Sequence, residues 1–276
     1  MSTSSTTSIE PRFRNVDGVQ VRYADSGDSK KQVLLLTSPW PESIYAFAPM
    51  WKTLSERARL VAVDLPGFGA SQRRTDLLSP RAMGEFLVRL IDEADLRQPH
   101  LVAPDVGCAA ALFAAAAHPA RIANLIVGHG GAAVPIELGD PLRTWVFEPD
   151  LERFRAIDPH VFVNAATDTI DGGIAYDIRA DYLACYQGDR FVESMRYVRT
   201  YPEQLPELAE LLPQISTPVT LINGRRDRVV PLANVEFLHA RLPNSRLEII
   251  DAGHFAWEEA PSRYASIVLD ALTAHS

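Results

Sequence analysis

Six short apolar runs set the limits on how this chain folds: VLLLT (33–37), RLVAVD (59–64), HLVAP (100–104), NLIVG (124–128), PVTLIN (218–223) and RLEIID (246–251). Each is a short, mainly apolar run, too short for a core helix. Such runs suit strands buried on both faces, the situation of parallel strands covered by helices. The spacing predicts helices between most of them, including 79–95 and the small-residue segment 108–119. Strands alternating with helices imply an α/β chain with a doubly wound, mostly parallel sheet. Ligands of such sheets bind beyond the carboxyl ends of the strands, so the residues that follow each apolar run are where chemistry is expected. Ahead of the first run, residues 12–26 alternate around an Asp-Gly pair and read as a β-hairpin.

The rhythm breaks between residues 134 and 213, a stretch rich in aromatics, Asp and Arg with helical patches such as FVESMRYVRTY. We expect a core domain from residues 1–133 and 214–276 and a helical cap from 134–213 laid over the site.

Composition narrows the partners. With 47% hydrophobic and 22% charged residues the chain is an ordinary globular protein with a packed core. A formal net charge of -8 argues against nucleic acid, since phosphate binding needs a positive face. No apolar run reaches membrane-spanning length. The opening MSTSSTTSIEP lacks the basic start and apolar run of a secretory leader and reads as a frayed terminus. Cys108 and Cys185 have no metal-ligand spacing and read as small buried hydrophobes rather than a disulfide. A cytoplasmic monomer or homodimer acting on a small molecule, without membrane or nucleic-acid partners, is the expectation.

Three strand ends carry chemistry. HLVAPDVGCAAAL runs a buried strand through Pro104-Asp105-Val106-Gly107 straight into a helix of small residues. That is the layout of a nucleophile elbow, a tight turn that lifts one side chain above the sheet and needs small neighbours. Asp105 occupies the centre, Ala103 stands where a glycine often sits, and Gly107 is retained. TLINGRRDRVVP places Asp227 in the loop after the fifth run, and IIDAGHFAWEEAP places His254 after the last. The order Asp105, Asp227, His254 is that of nucleophile, acid and base in this kind of fold.

From about residue 12 to the end the chain resembles the α/β-hydrolase superfamily. GRRDRVVP and AGHFAWEEAP match its acid and base loops, and DLPGFGAS (64–71) matches its recurring turn after a core strand. An aspartate in the elbow narrows the resemblance to epoxide hydrolases and to haloalkane and haloacetate dehalogenases. It implies a cofactor-free and metal-free hydrolase that passes through an alkyl ester of Asp105. A carboxylate is already ionised at neutral pH and can displace a leaving group at saturated carbon. Water activated by His254 then attacks the ester carbonyl, with Asp227 orienting the imidazole. The backbone N–H groups of Val106 and Trp40 are the expected oxyanion donors. The loop Ser38-Pro39-Trp40-Pro41 departs from the family's usual His-Gly start, and its Pro-Glu-Ser ending is closest to epoxide hydrolases.

Within that resemblance Tyr197 falls where a cap tyrosine donates a proton to the opening epoxide. The segment around Trp145 matches the position of the first cap tyrosine without one; Tyr176, Tyr182 and Tyr186 come later. For a dehalogenase, Trp40 and Trp145 offer indole donors to a halide, but Val106 stands where haloalkane enzymes place Trp and no arginine adjoins the nucleophile. Epoxide hydrolysis is the leading reading and dehalogenation at the same Asp105 the second. A non-catalytic ligand binder, or a specialised biosynthetic enzyme, stands as a third class. His118 and His129 read as surface or core-edge residues, Glu42 as a loop hydrogen-bond partner, and the alanine run 109–117 as helix packing against the sheet.

Overall fold

The computed structural model describes residues 9–27 and 31–273. The polar start Met1–Ser8, expected to fray, lies outside them. Asp17 and Gly18 both take positive φ, 49° and 77°, as a two-residue hairpin turn needs. They join β1 (Arg12–Val16) to β2 (Val19–Asp25). The apolar runs follow as β3 (Val33–Thr37), β4 (Arg59–Val63), β5 (His100–Pro104), β6 (Asn124–Gly128), β7 (Val219–Gly224) and β8 (Ser245–Ile250), each within a residue of expectation. They form one eight-stranded sheet ordered β1-β2-β4-β3-β5-β6-β7-β8. The hairpin pairs antiparallel and every later pairing from β3 to β8 is parallel.

Helices cover both faces: α1 (Ala48–Ser55), α2 (Pro80–Glu93) and α3 (Val106–Ala117) come first. Ser79 caps α2 by accepting the Ala82 N–H, and Pro80 fills its first turn. Residues 106–115 of α3 are all buried, which explains why this helix carries no polar face: small residues let it lie between sheet and neighbours. Between β6 and β7 the chain forms α4 (Leu142–Phe147), α5 (Glu152–Arg155), α6 (Pro159–Thr167), α7 (Tyr176–Cys185), α8 (Arg190–Val198) and α9 (Tyr201–Leu211), with no strand among the described residues. After β7 come α10 (Ala233–His239), α11 (Ala256–Glu259) and α12 (Pro261–Thr273). No helix among the described residues is long and apolar enough to cross a membrane.

One buried carboxylate ties the inserted helices to the sheet. Asp64, fully buried after β4, accepts from Ile44 N–H at 2.8 Å, Ala70 N–H at 2.8 Å and Arg22 Nε at 2.6 Å. The Arg22 fork continues to Asp181 of α7 through two bonds of 2.7 and 3.0 Å, and Ser43 Oγ donates to the same carboxylate at 2.6 Å. Gly69 is required here: its φ is +49°, and a Cβ on it would lie 2.1 Å from Asp64 Cγ. The DLPGFGAS turn is therefore the seat of a charged junction between β2, the loop after β3 and the helical insertion. Removing Arg22 leaves Asp64 buried and unpaired. Arg22→Met should lower unfolding free energy by about 3–5 kcal/mol, read from urea melts, and Arg22→Lys, which keeps a cation for Asp64, should lose less.

Candidate active site

The end of β5 and the start of α3 meet at a single strained residue. Asp105 has φ 54° and ψ -121°, a conformation that costs about 1–3 kcal/mol and persists only when its surroundings enforce it. Its N–H donates to Gly128 O at 2.9 Å, and its C=O accepts from Cys108 N–H at 3.0 Å. A Cβ at position 107 would lie 2.3 Å from Thr37 Oγ1 and 3.1 Å from the Ala103 Cβ, so only glycine lets the turn close against β3. The side chain of Asp105 thus stands at the carboxyl edge of the sheet with the first turn of α3 beneath it.

Two main-chain donors converge on that side chain. Trp40 N–H donates to Asp105 Oδ2 at 2.6 Å, and the Val106 N–H, in the first turn of α3, favours the charged form of the carboxyl. Burial pushes the Asp105 carboxyl up to about 6, against the pull of the His254 charge and of these two N–H groups. The loop bearing Trp40 is held by Ser38 N–H on Val63 O at 2.9 Å and by the Ile44–Asp64 bond.

The histidine expected as base lies in the loop between β8 and α11. His254 Nδ1 lies 2.9 Å from Asp227 Oδ2, and its Nε2 lies 4.0 Å from Asp105 Oδ1, too far for a direct hydrogen bond. Glu259 Oε2 accepts Gly253 N–H at 2.7 Å and fixes the turn before the histidine. Asp227 Oδ1 accepts the N–H groups of Val229 and Val230 at 2.9 and 2.8 Å, so its own loop orients it. Burial opposes the Asp227 charge, but His254 and His129 more than offset it and hold the carboxyl below the usual carboxylate range. Burial likewise pushes His254 down, and the Asp227 carboxylate outweighs it, so the imidazole sits above its ordinary value.

A second histidine enters the group. His129, read as a surface or core-edge residue, is wholly buried just after β6 with its Nδ1 3.1 Å from the same Asp227 Oδ2. No spacing motif marks it; only its place directly after an apolar strand points to the site. The ligand atoms of His129, Asp227 and His254 lie within 4.8 Å of one another, close enough to resemble a metal site. The two Nδ1 to Oδ2 hydrogen bonds account for that closeness.

The remaining expected residues distribute unevenly. The Trp40 ring stacks on Phe191 at 5.1 Å and meets Trp145 edge-on at 5.2 Å, and its indole N–H is buried without a partner among the described residues. Trp145 is buried beside it, whereas Phe147 is half exposed. Tyr197 is buried, but its hydroxyl donates to Val106 O at 2.7 Å rather than to the Asp105 carboxylate. Tyr201, not singled out from sequence, packs 6.1 Å from Tyr197; burial and then the Asp105 charge hold its phenol well above its ordinary value. Tyr176 is exposed, Tyr186 donates to Glu42 O at 3.2 Å, and Tyr182 donates to Glu258 at 3.0 Å. Glu42 accepts the Trp257 indole N–H at 2.9 Å; burial and the neighbouring Glu258 raise its carboxyl far above the usual range.

With this geometry in view, the likeness to known proteins is specific at the level of family. A 2-hydroxy-6-oxononadienedioate/2-hydroxy-6-oxononatrienedioate hydrolase of Pseudomonas putida is 28% identical, over 92% of this chain and 92% of that protein. The enol-lactonase of Burkholderia xenovorans LB400 superposes with a TM-score of 0.81 at 19% identity, over 95% of this chain and all of that one (100%). The epoxide hydrolase CorEH superposes at 0.79 with 17% identity, over 95% and 98%. Residues 32–261 match the family model for the alpha/beta hydrolase fold, and the chain belongs to that family.

Proposed function

We propose that the chain hydrolyses an epoxide to a diol through an alkyl ester of Asp105. The observation that carries this reading is the carboxylate itself, one oxygen already seated on the Trp40 N–H at 2.6 Å and the other facing His254 Nε2 at 4.0 Å. Oδ1 attacks a ring carbon, the carbon–oxygen bond breaks, and the ring oxygen takes a proton from the Tyr201 phenol, while the neighbouring Tyr197 hydroxyl stays on Val106 O. Oδ2 becomes the ester carbonyl oxygen, and it lies where the oxyanion of the next step forms. Water then gives a proton to His254 and attacks the Asp105 carbonyl carbon. The tetrahedral intermediate expels the diol oxygen, which takes the proton from His254, and the Asp105 carboxyl proton returns to the phenolate. The sum is epoxide plus water to diol. Cap closure over this face would be the work of residues 134–213.

Two other substrates fit less of what is present. The buried, unpartnered indole N–H of Trp40 with Trp145 against it favours a halide leaving group as the second reading. A dienedioate, named for the Pseudomonas relative, would set further carboxylates against Asp105, Glu42 and Glu258. The ring neighbours of Trp40 are Trp145 and Phe191. A buried carboxylate needs a cation or several donors, which supports an uncharged substrate.

His254→Gln incubated with terminal epoxides and alkyl halides should stall at the ester. Intact-protein mass spectrometry should then show a gain of one whole epoxide on Asp105, with turnover slowed by about 10²–10⁴-fold. A gain of an alkyl group alone would move the substrate to halides, and turnover without any adduct on Asp105 would overturn the mechanism. Because Asp105 attacks only when ionised, pre-steady-state alkylation should rise with pH and level off above about 6, falling tenfold per unit below it. The same shift predicts a stability effect. A folded-state value above the ordinary 3.8 means ionisation opposes folding, absent below that value and complete above about 6. Asp105→Asn should therefore stabilise the protein at pH 8 by roughly 1–3 kcal/mol and give no such gain at pH 3.5, measured by urea unfolding.

A further inference from the structure

We propose that His129 is a positioning residue for the base: it donates Nδ1–H to the Asp227 oxygen that His254 also uses, and so sets the pH at which His254 is free to activate water. The proposal rests on the reading of His254 as that base.

Three features build it. Both imidazoles reach one atom, Asp227 Oδ2, at 3.1 Å from His129 and 2.9 Å from His254, while Oδ1 is taken by the Val229 and Val230 N–H groups. The His129 backbone is fixed, with φ 54° and its N–H on Asn223 Oδ1 at 3.0 Å, which sets where the side chain leaves the main chain at the end of β6. Its ring meets Trp257 edge-on at 5.3 Å and His254 at 5.9 Å, and its Nε2 is buried with no partner among the described residues. A buried ring with an acceptor on only one nitrogen is neutral and protonated at Nδ1; burial, the first influence on it, also keeps it below its ordinary value.

The charged and titratable groups facing the two rings are Asp227 after β7, Asp105 at the elbow and Glu259 of α11. Glu42 and Glu258 stand behind Trp257. Asp227 is the one group bonded to both rings. A neutral donor on its oxygen draws off part of the charge that stabilises the His254 imidazolium. His254 is then released from its proton at lower pH than if Asp227 served it alone.

The test is an NMR titration of the imidazole rings in the full chain without substrate, so it does not depend on which substrate is turned over. In the unaltered protein His129 should remain the Nδ1–H tautomer and stay untitrated from pH 5 to 9 while His254 titrates. In His129→Phe the donor is lost and the His254 midpoint should move up by about half a unit to one unit, the effect of one hydrogen bond. His129→Asn keeps a donor near Nδ1 and tolerates the positive φ, so its His254 midpoint should return to that of the unaltered protein. Should an epoxide be turned over, the acid limb of ester hydrolysis should follow the same shifts. An unchanged or lowered midpoint in His129→Phe, a raised one in a folded His129→Asn, or titration of His129 together with His254 would each overturn the proposal. If His129→Phe does not fold, the tautomer and the Asn variant still decide it.

Discussion

The site turns on a carboxylate that is buried where its charge is disfavoured. Asp105 sits at a strained turn, nearly excluded from solvent, and only two N–H groups and the nearby imidazole favour its ionised form. Everything else near the elbow serves to make that arrangement tolerable. Gly107 lets α3 press against β3, the N–H of Trp40 is aimed by a loop anchored on Asp64, and α3 turns its amino end toward the anion. A carboxylate held in this way is poorly solvated, which is the state that the proposed displacement at a saturated carbon would use.

Much of this was legible before any coordinates. The strands showed because parallel strands buried on both faces are written in mainly apolar residues, as β3, β5 and β6 are; β8, half-buried at the sheet edge, mixes Arg246 and Glu248 into its run. The elbow showed because a turn that tight admits so few residue types. Asp227 and His254 showed because each directly follows a strand. What stayed hidden depends on long-range geometry. His129 has no motif, and its role exists only because β6 and β7 are neighbours in the sheet. Tyr197 was singled out by resemblance to a cap tyrosine, yet a position along a helix does not say which way a hydroxyl points, and this one turns to the Val106 carbonyl. Glu42 and Glu258 are far apart in sequence, so nothing in either segment announces that their carboxyls lie together.

The family likeness and the chemistry of the elbow bear on different questions. Membership in the α/β-hydrolase fold family accounts for the sheet, the order of nucleophile, acid and base, and the placement of loops. It does not choose the bond that is broken. The proposed choice rests on the residue at the elbow and on the aromatic packing of Trp40, Trp145 and Phe191.

The junction at Asp64 has a consequence for how this protein can be rebuilt. Because Arg22 bridges Asp64 to Asp181, and Ser43 reaches the same Asp181, the inserted helices share their fastening with the loop that carries Trp40. The insertion is thus not an exchangeable module set between two strands. Transplanting helices from a relative would remove the anion that Arg22 and Ser43 are arranged to meet, leaving a buried cation half-matched and the Trp40 loop less firmly held. Any recombination of lids on this scaffold has to carry residues from β2 and from the loop after β3 along with the helices, so the natural unit of exchange is discontinuous in sequence.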